Sequence, residues 1–374
     1  MTSLIQARVR GARASQTTLR ITGSGKWLDA GRPVSASETI SMVNHTGVVD
    51  YVPGDLTITV RGGTTLAEIA RITGDEGQWF PIDPPGSDSG TIGATVATAS
   101  SGPLSHGFGT IRDLVLGVEF VTGEGKIVRG GGRVVKNVAG FDLVRLMTGS
   151  WGTLGIITEV SLRLYALPSR RATMAIDAPT DTRRLAERLA TLSDGRIMPF
   201  AMELVSRELA HLAGLPPRPM ILMEVGGNAA AVSAQRDEIA KHGAAVEVPA
   251  ETWNKLRTIE RPGETVFRLS GLPARVAERW ERAGRLAEKM NGALMHASVA
   301  RGTVRVVLPA EPSDDMVNLL SERIDGETVI FESLPRDLWA KLSPSAISDR
   351  VSQGIKKAFD PFDILNRGIL GPSS

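Results

Sequence analysis

The chain contains no cysteine among its 374 residues. This absence excludes disulfide bonds, thiolate zinc sites, iron–sulfur clusters and thiol nucleophiles. Any redox chemistry of this chain must therefore come from a bound organic cofactor.

Neither sign of charge predominates, because 43 Lys and Arg residues oppose 41 Asp and Glu residues, for a formal charge of +2. No basic run is interleaved with aromatic residues, so nucleic acid is not an expected partner. No apolar run approaches the ~18 residues of a membrane span, and residues 1–13 lack the apolar segment of a secretory signal. These absences predict a cytoplasmic protein with no direct membrane span.

Glycine is unevenly distributed, with 26 of the 40 glycines in residues 1–170 and 14 in the remaining 204. Glycine costs chain entropy but permits positive φ and a close approach of the backbone. The glycine-rich half therefore indicates a ligand cradle lined by backbone. The other half has repeated β-α units with antiparallel returns, which predict a ferredoxin-like sandwich. The composition changes near Pro168.

Hydrophobic periodicity predicts the main elements. In the first half, strand patterns cover 18–22, 56–61, 115–122, 126–129 and 155–164, and a helical pattern covers 66–72. In the second half, strand patterns at 220–224, 264–269, 302–308 and 327–332 alternate with helical patterns at 229–242, 273–290 and 313–323. A last amphipathic helix over 346–359 ends before Pro361, which cannot continue it.

A loop of small residues follows the first predicted strand, in Arg20-Ile-Thr-Gly-Ser-Gly-Lys26. Exposed amides in such a loop can form a phosphate nest. A Walker loop is excluded because Arg20 and Trp27 stand where it needs Gly and Ser or Thr. The Rossmann fingerprint is excluded because Leu28 replaces its third glycine. By itself, the loop is also compatible with an ordinary turn.

The region from Gly90 to Gly155 holds 15 glycines in 66 residues. Within it, Gly90-Thr-Ile-Gly-Ala-Thr-Val-Ala97 predicts a helix start whose small residues permit close approach of a planar or phosphorylated ligand. A tightly packed helix is the alternative interpretation of the same residues.

Several segments, in this order, resemble the FAD-binding domain of the vanillyl-alcohol oxidase type, also called the PCMH-type flavin domain. They are Val48–Thr64, Thr91–Ala94, Ile111–Gly117, Lys136–Leu143, Gly149–Ile156 and the closing segment Phe359–Asn366. Within that superfamily, the short N-terminus, the segment Lys136–Leu143 and the brief second domain are most similar to the E subunits of bacterial glycolate oxidases.

The resemblance implies an α+β fold in three parts. Residues 1–168 would form a PCMH-type (vanillyl-alcohol oxidase-like) FAD-binding domain with two subdomains. Residues 169–340 would form a ferredoxin-like α/β cap domain. Residues 341–374 would form a C-terminal helix and tail that return to the FAD domain.

The resemblance also implies that FAD is held mainly by backbone groups. The implied cofactor-binding residues are Gly23, Ser24, Gly25 and Lys26 at the pyrophosphate, then Pro85, Thr91, Gly93, Ala94 and Thr95, then Gly102 near the isoalloxazine, and finally Gly152, Gly155 and Ile156. Many relatives attach the flavin through a histidine in the pyrophosphate loop. No histidine neighbours Ser24, so the FAD is expected to be non-covalent.

The catalytic residues are not determined by the sequence. Oxidation of a 2-hydroxy acid needs a base for the hydroxyl proton and a cation for the carboxylate. The five histidines (His45, His106, His211, His242 and His296) show no short metal-type spacing, so no metal site is expected. The candidate base is His106, in the glycine-rich loop. His296 is compatible with a base, a worn metal ligand or an ordinary strand-end residue. The candidate cations are Arg163, Arg268 and Arg305.

The leading hypothesis is an FAD-binding subunit of a glycolate (2-hydroxy-acid) oxidase or dehydrogenase complex, which supports oxidation of glycolate to glyoxylate. Its partners would be a principal flavin subunit and an iron–sulfur subunit, through which it could associate with a membrane. A self-sufficient FAD-dependent hydroxy-acid or alcohol dehydrogenase and a non-catalytic assembly subunit stay open as alternatives. Trp339, within Leu334–Leu342, is compatible with partner docking or core packing.

Overall fold

The computed structural model describes residues 2–132, 142–289, 292–308, 327–342 and 346–371. The chain divides into two compact units. The first unit comprises Met1–Ser101, Gly109–Leu167 and Pro344–Ser374, and the second comprises Gly102–Phe108 and Pro168–Ser343. The short segment 102–108 thus groups with the second half of the chain, whereas the sequence pattern assigns it to the first domain.

The helices and strands of the first half follow in chain order. They are α1 Thr2–Ser15, β1 Leu19–Thr22, β2 Glu38–Ser41, β3 Val48–Val52, β4 Thr57–Arg61, α2 Leu66–Gly74, β5 Gln78–Trp79, α3 Ile92–Ala97, α4 Ser105–Phe108, α5 Ile111–Leu114, β6 Val115–Val121, β7 Ile127–Gly131, α6 Leu143–Met147, β8 Ile156–Arg163 and β9 Tyr165–Ala166.

The second half continues with strands, helices and a final helix. They are β10 Arg170–Asp177, α7 Thr182–Leu192, β11 Ala201–Val205, α8 Arg207–Leu212, β12 Met220–Gly227, α9 Ala229–Ala240, β13 Val246–Val248, α10 Glu251–Arg257, β14 Thr265–Ser270, α11 Val276–Ala287, β15 Leu294–Ser298, β16 Thr303–Leu308, β17 Thr328–Ser333, α12 Trp339–Leu342 and α13 Arg350–Phe359.

The first unit contains two main sheets. An antiparallel sheet has the strand order β3-β4-β8-β6-β7, and β1 pairs with β2 in parallel. In the larger sheet, Val60 on β4 lies opposite Val160 on β8, and both are fully buried. A separate core joins α1 and β1 to the C-terminal tail through Val9, Leu19 and Leu365. The tail therefore completes a core that the first twenty residues begin.

The second unit is built on one antiparallel sheet with the order β13-β10-β12-β11-β15-β16-β14-β17. Numbered in chain order, strands β10 to β13 lie as 4-1-3-2 from their outer edge, and strands β14 to β17 repeat that order from the opposite edge. The two sets join where β11 pairs with β15. Helices α7, α9 and α11 follow β10, β12 and β14, and all three contribute side chains to one core with this sheet.

Local sequence explains how the helices of this unit begin and which face they bury. The Asp181 side chain accepts a hydrogen bond from the Arg184 amide and caps α7. Leu185, Leu189 and Leu192 then recur at helical spacing and enter the core.

Trp339 is also buried in this core, so core packing is the correct interpretation for it.

Most predicted elements are confirmed by the structure. The strands observed at predicted positions are β1, β4, β6, β7, β8, β12, β14, β16 and β17, and the helices are α2, α9, α11 and α13. The last helix begins at Arg350 rather than at 346, because Asp349 caps the amides of Val351 and Ser352. The predicted helix at 313–323 and the motif residues 136–141 lie outside the described residues. Within the described ranges, none of the helices is long and apolar enough to cross a bilayer.

The backbone at Gly63 leaves no room for a side chain, because a Cβ there would overlap the Met42 carbonyl oxygen and lie 2.8 Å from the His45 oxygen. We expect Gly63→Ala to lower the free energy of unfolding by about 1–3 kcal/mol, as overpacking does. Gly54→Ala is the matched control, because a Cβ at Gly54 meets nothing within 4 Å. Urea unfolding of both variants measures the difference, and equal midpoints would contradict the packing argument.

Candidate FAD-binding site

The loop after β1 presents unused hydrogen-bond donors. The backbone N–H groups of Gly23, Ser24, Gly25 and Lys26 donate to no acceptor within the described part of the chain. Gly25 has φ +72°, a left-handed conformation that favours glycine. Consecutive free N–H groups in such a turn form an anion-binding concavity.

The start of α3 lies directly against this loop. A Cβ at Gly23 would overlap Thr91 Oγ1 and lie 3.2 Å from Ala94 Cβ. Thr91 is only 1% exposed, and its hydroxyl has no hydrogen-bond partner among the described residues. The exposed Ala94 also has a free N–H group in the described structure. A buried unpaired hydroxyl costs free energy, so the arrangement fits a phosphate that accepts from it.

The remaining predicted residues of α3 have internal partners. The Gly93 N–H donates to the Gly62 oxygen at 2.8 Å, and a Cβ at Gly93 would lie 2.7 Å from that oxygen. The Thr95 hydroxyl donates to the Thr91 carbonyl at 3.1 Å. These two residues set the depth and direction of the helix start.

Pro85 begins the turn that leads into α3, and its side chain is half-buried. This turn is held by the first residues of α2. The Ala67 N–H donates to the Asp88 oxygen at 2.9 Å, and the Leu66 N–H donates to the Gly90 oxygen at 3.0 Å. The structure thus places Pro85 at the approach to Thr91.

The glycine-rich loop before β8 docks on the other end of α3. The Gly149 N–H donates to the Val96 oxygen at 3.0 Å, and the Trp151 N–H donates to the Ala97 oxygen at 2.7 Å. The Trp151 ring stacks on Trp27 with centroids 5.9 Å apart. Helix α3 therefore connects the loop at 23–26 with the loop at 149–152.

Asn366, in the C-terminal tail, is a site residue that sequence analysis missed. Its side chain accepts from the Ile21 N–H at 2.8 Å and donates to the Trp151 oxygen at 2.7 Å. Gly152 has φ +68°, and a Cβ there would lie 2.7 Å from Asn366 Nδ2. The closing motif contains Asn366, but nothing local to that motif indicates a partner 345 residues away.

For three predicted residues, the structure shows contacts other than those of this cradle. A Cβ at Gly155 would lie 2.6 Å from Phe120 Cδ2, and the Ile156 side chain belongs to the core. Gly102 groups with the second unit, where its oxygen accepts from the Ser105 N–H at 3.0 Å. Their contact with a flavin stays a prediction.

The histidine at 106 also lies in the second unit. The Gly107 N–H donates to the Phe200 oxygen at 3.0 Å, which seats α4 beside the start of β11. His106 Nδ1 is buried without a partner among the described residues. Burial lowers the pKa of His106, and the Glu203 carboxylate on β11 opposes that shift.

His296 on β15 has a partner that the sequence did not reveal. Its Nδ1 lies 2.8 Å from Glu203 Oε2, and Glu203 is 1% exposed. His45 is structural, because its buried ring contacts the Thr158 oxygen at 3.0 Å. No group of three His, Asp or Glu residues with metal-site geometry occurs in the described parts of the chain.

The three candidate arginines already have neighbours. Arg163 is exposed and lies over the Tyr165 ring. Arg268 and Arg305 both pair with the buried Glu332, with Arg305 Nε 2.7 Å from Glu332 Oε2. Arg268 and Arg305 are therefore already paired, whereas Arg163 has no ion pair among the described residues.

The fold and the cradle define a flavoprotein with an FAD-binding domain. Residues 2–131 match the family described as FAD binding domain. The solved 4-ethylphenol oxidase from Gulosibacter chungangensis shares the fold, with a TM-score of 0.72 over 99% of this chain and 87% of that chain, at 16% identity. The predictions of a PCMH-type fold and of FAD as the cofactor are therefore confirmed.

The sequence comparison is more specific. The chain is 31% identical to glycolate oxidase subunit GlcE of Escherichia coli (strain K12) over 366 residues, which cover 96% of this chain and 95% of that protein. It is 31% identical over 244 residues to glycolate oxidase subunit GlcD of Bacillus subtilis (strain 168), covering 60% and 50%. The chain belongs to the family of FAD-binding oxidoreductase subunits that includes glycolate oxidase subunit GlcE.

The Thr91 hydroxyl, which is unpaired among the described residues, should strengthen FAD binding but lower the stability of the flavin-free chain. We expect Thr91→Val to weaken FAD binding about tenfold, because a hydrogen bond to a charged group contributes about 1.5–3 kcal/mol. The melting temperature of the flavin-free chain should stay the same or rise, because the substitution removes a buried hydroxyl that has no partner among the described residues. Fluorescence titration and thermal unfolding measure the two effects. Thr73→Val is the control, since its buried hydroxyl bonds within α2. Unchanged FAD affinity in Thr91→Val would remove Thr91 from the site.

The lowered pKa of His106 makes the folded chain sensitive to acid. The unfolded chain takes up a proton near the ordinary value of 6.5, whereas the folded chain resists protonation to lower pH. Stability is therefore lost as the pH falls through this window. We expect His106→Gln to lose less unfolding free energy than the wild type between about pH 7.5 and 5.5. Parallel pH profiles for the two chains would show that His106 is not buried in its neutral form.

Proposed function

We propose that this chain is the FAD-binding E-type subunit of a multi-subunit enzyme that oxidises glycolate, or a related small 2-hydroxy acid, to the 2-oxo acid. The observation that carries the proposal is the end-to-end similarity to a protein named as a glycolate oxidase subunit, which covers 96% of this chain. The similarity to a second glycolate oxidase subunit supports a complex that contains two related flavin-binding chains.

In this proposal, the cradle holds the pyrophosphate of a non-covalent FAD. FAD supplies the acceptor for the two electrons of the substrate's CH–OH group. The N–H groups of residues 23–26 and of Ala94 donate to the phosphate oxygens, and Thr91 adds its hydroxyl. Lys26 contributes positive charge. Gly93 and Gly152 have no side chain, which lets the start of α3 pack against Gly62 and the loop before β8 pack against Asn366.

The proposed partners come from the similarity to proteins named as glycolate oxidase subunits. A GlcD-type chain would be the principal flavin subunit. Any iron–sulfur cluster of the complex would lie in another subunit, because this chain has no cysteine to bind it. Any association with a membrane would go through those partners.

Co-expression with the subunits encoded nearby, followed by purification and a flavin count, tests the proposal. We expect one FAD per copy of this chain in addition to the flavin of the principal subunit. Gly23→Val should remove the flavin of this chain while the complex still assembles, because the side chain enters the space of Thr91 and Ala94. The control is Gly11→Ala, where a Cβ meets nothing within 4 Å.

Anaerobic addition of glycolate separates the alternatives. Bleaching of the visible flavin band in the complex but not in the isolated chain supports the proposal. Bleaching in the isolated chain indicates a self-sufficient dehydrogenase instead. A colourless chain that takes up no FAD and still assembles indicates an assembly subunit.

A further inference from the structure

The sheet of the second unit brings charged residues from four strands onto one face. Met202 and Leu204 of β11 enter the core under the helices, and Glu203 between them points to the opposite face. On that face, Glu203 lies opposite Ser298 of β15. His296, two residues before Ser298, lies opposite Arg305 of β16. Arg305 in turn lies opposite Arg268 of β14.

Glu203 determines how His296 presents its ring. A buried carboxylate accepts hydrogen bonds, so the contact of 2.8 Å assigns the ring hydrogen of His296 to Nδ1. In the neutral form of the ring, the other nitrogen, Nε2, then holds a lone pair. A ring nitrogen fixed in this way accepts a hydrogen bond from a hydroxyl group.

Arg301 lies in the turn between β15 and β16 and, among the described residues, has no carboxylate within ion-pair distance. It makes no ion pair or side-chain hydrogen bond in the described ranges. Burial lowers its pKa and nearby Arg268 adds to this shift, while Glu203 and Glu332 oppose it. Arg268 and Arg305, by contrast, are paired with Glu332. A half-buried guanidinium without an ion pair among the described residues attracts an anion.

A third polar group, Ser298, lies between the histidine and the arginine along the chain. The hydroxyl of Ser298 is buried without a partner among the described residues. Alternate residues of a strand are about 7 Å apart, so Ser298 and His296 are neighbours along one face. Arg301 follows Ser298 by three residues, and its long side chain can reach a small molecule bound over that strand end.

We propose that Arg301, Ser298 and His296 form a binding site for a small 2-hydroxy carboxylate. The Arg301 guanidinium pairs with the carboxylate, and His296 Nε2 accepts the hydrogen bond of the ligand's hydroxyl. Glu203 is a positioning residue that fixes the ring of His296. The choice of a hydroxy acid rests on the proposed function, whereas the recognition of a carboxylate rests on Arg301 alone.

Equilibrium dialysis of the full chain with radiolabelled glycolate tests the site, under anaerobic reducing conditions that prevent turnover. We expect Arg301→Gln to weaken glycolate binding at least tenfold and Arg301→Lys to retain part of it. The control is Arg218→Gln, an exposed arginine of the same unit that pairs with Asp177. Acetate should compete at least tenfold more weakly than glycolate, because it lacks the hydroxyl. Wild-type binding in Arg301→Gln, or no binding by the wild type, would overturn the site.

Nitrogen-15 NMR of the histidine side chains tests the positioning role. The resonances of His296, identified by their loss in His296→Gln, should show a protonated Nδ1 and a bare Nε2 in the wild type. In Glu203→Met, which removes the acceptor at similar volume, the tautomer with hydrogen on Nε2 should gain. A wild-type His296 with hydrogen on Nε2 would overturn the acceptor role.

The two proposals fail in different ways. A chain that binds glycolate through Arg301 but assembles with no partner keeps this site and loses the proposed function. A chain that assembles and carries FAD, but binds glycolate equally with and without Arg301, keeps the function and loses the site.

Discussion

The contact between Gly23 and the first turn of α3 is the constraint on which the flavin-binding unit depends. Only a glycine at this position lets the loop approach Thr91 and Ala94 so closely. The approach brings the amides of residues 23–26 beside the Ala94 amide and the Thr91 hydroxyl at the helix start. Within the described parts of the chain these donors have no acceptor, and a pyrophosphate would supply acceptors for them.

The C-terminal tail stabilises the cradle through hydrogen bonds. Asn366 bonds to Ile21 on one side and to Trp151 on the other. Just before it, the buried Asp360 accepts from the amides of Ile364 and Leu365 and so fixes the path of the tail. Strand β1 and the loop that contains Trp151, more than a hundred residues apart in the chain, are thereby tied to one short segment. We interpret the closing motif as a clamp on the cradle.

The second unit follows a different physical logic, because it buries charge. Glu332 forms ion pairs with Arg268 and Arg305, and Glu203 contacts His296. Buried ions are tolerated when they are paired and are costly when they are not. In the site proposed above, the bound carboxylate would supply the partner that Arg301 lacks among the described residues.

The sequence by itself determined the class of chemistry and most of the local structure. The absence of cysteine meant that any redox chemistry would need an organic cofactor, and the density of glycines indicated a ligand cradle lined by backbone. The resemblance of the motifs to a known flavin domain then implied FAD. Strands such as β8 and helices such as α9 followed from periodicity, which is a property of neighbouring residues. Even the small residues of α3 were identifiable, because a phosphate cradle needs them close together in the chain.

Only the tertiary structure decided which distant residues meet. Glu203 and His296 are 93 residues apart, and neither has a local pattern that names the other. Their contact exists because β11 and β15 pair at the junction of two strand sets. His106 lies in the second unit for the same reason, since α4 packs on the start of β11 rather than on its sequence neighbours. Pairing between strands is set by the burial of the whole sheet, and no short window of sequence contains that information.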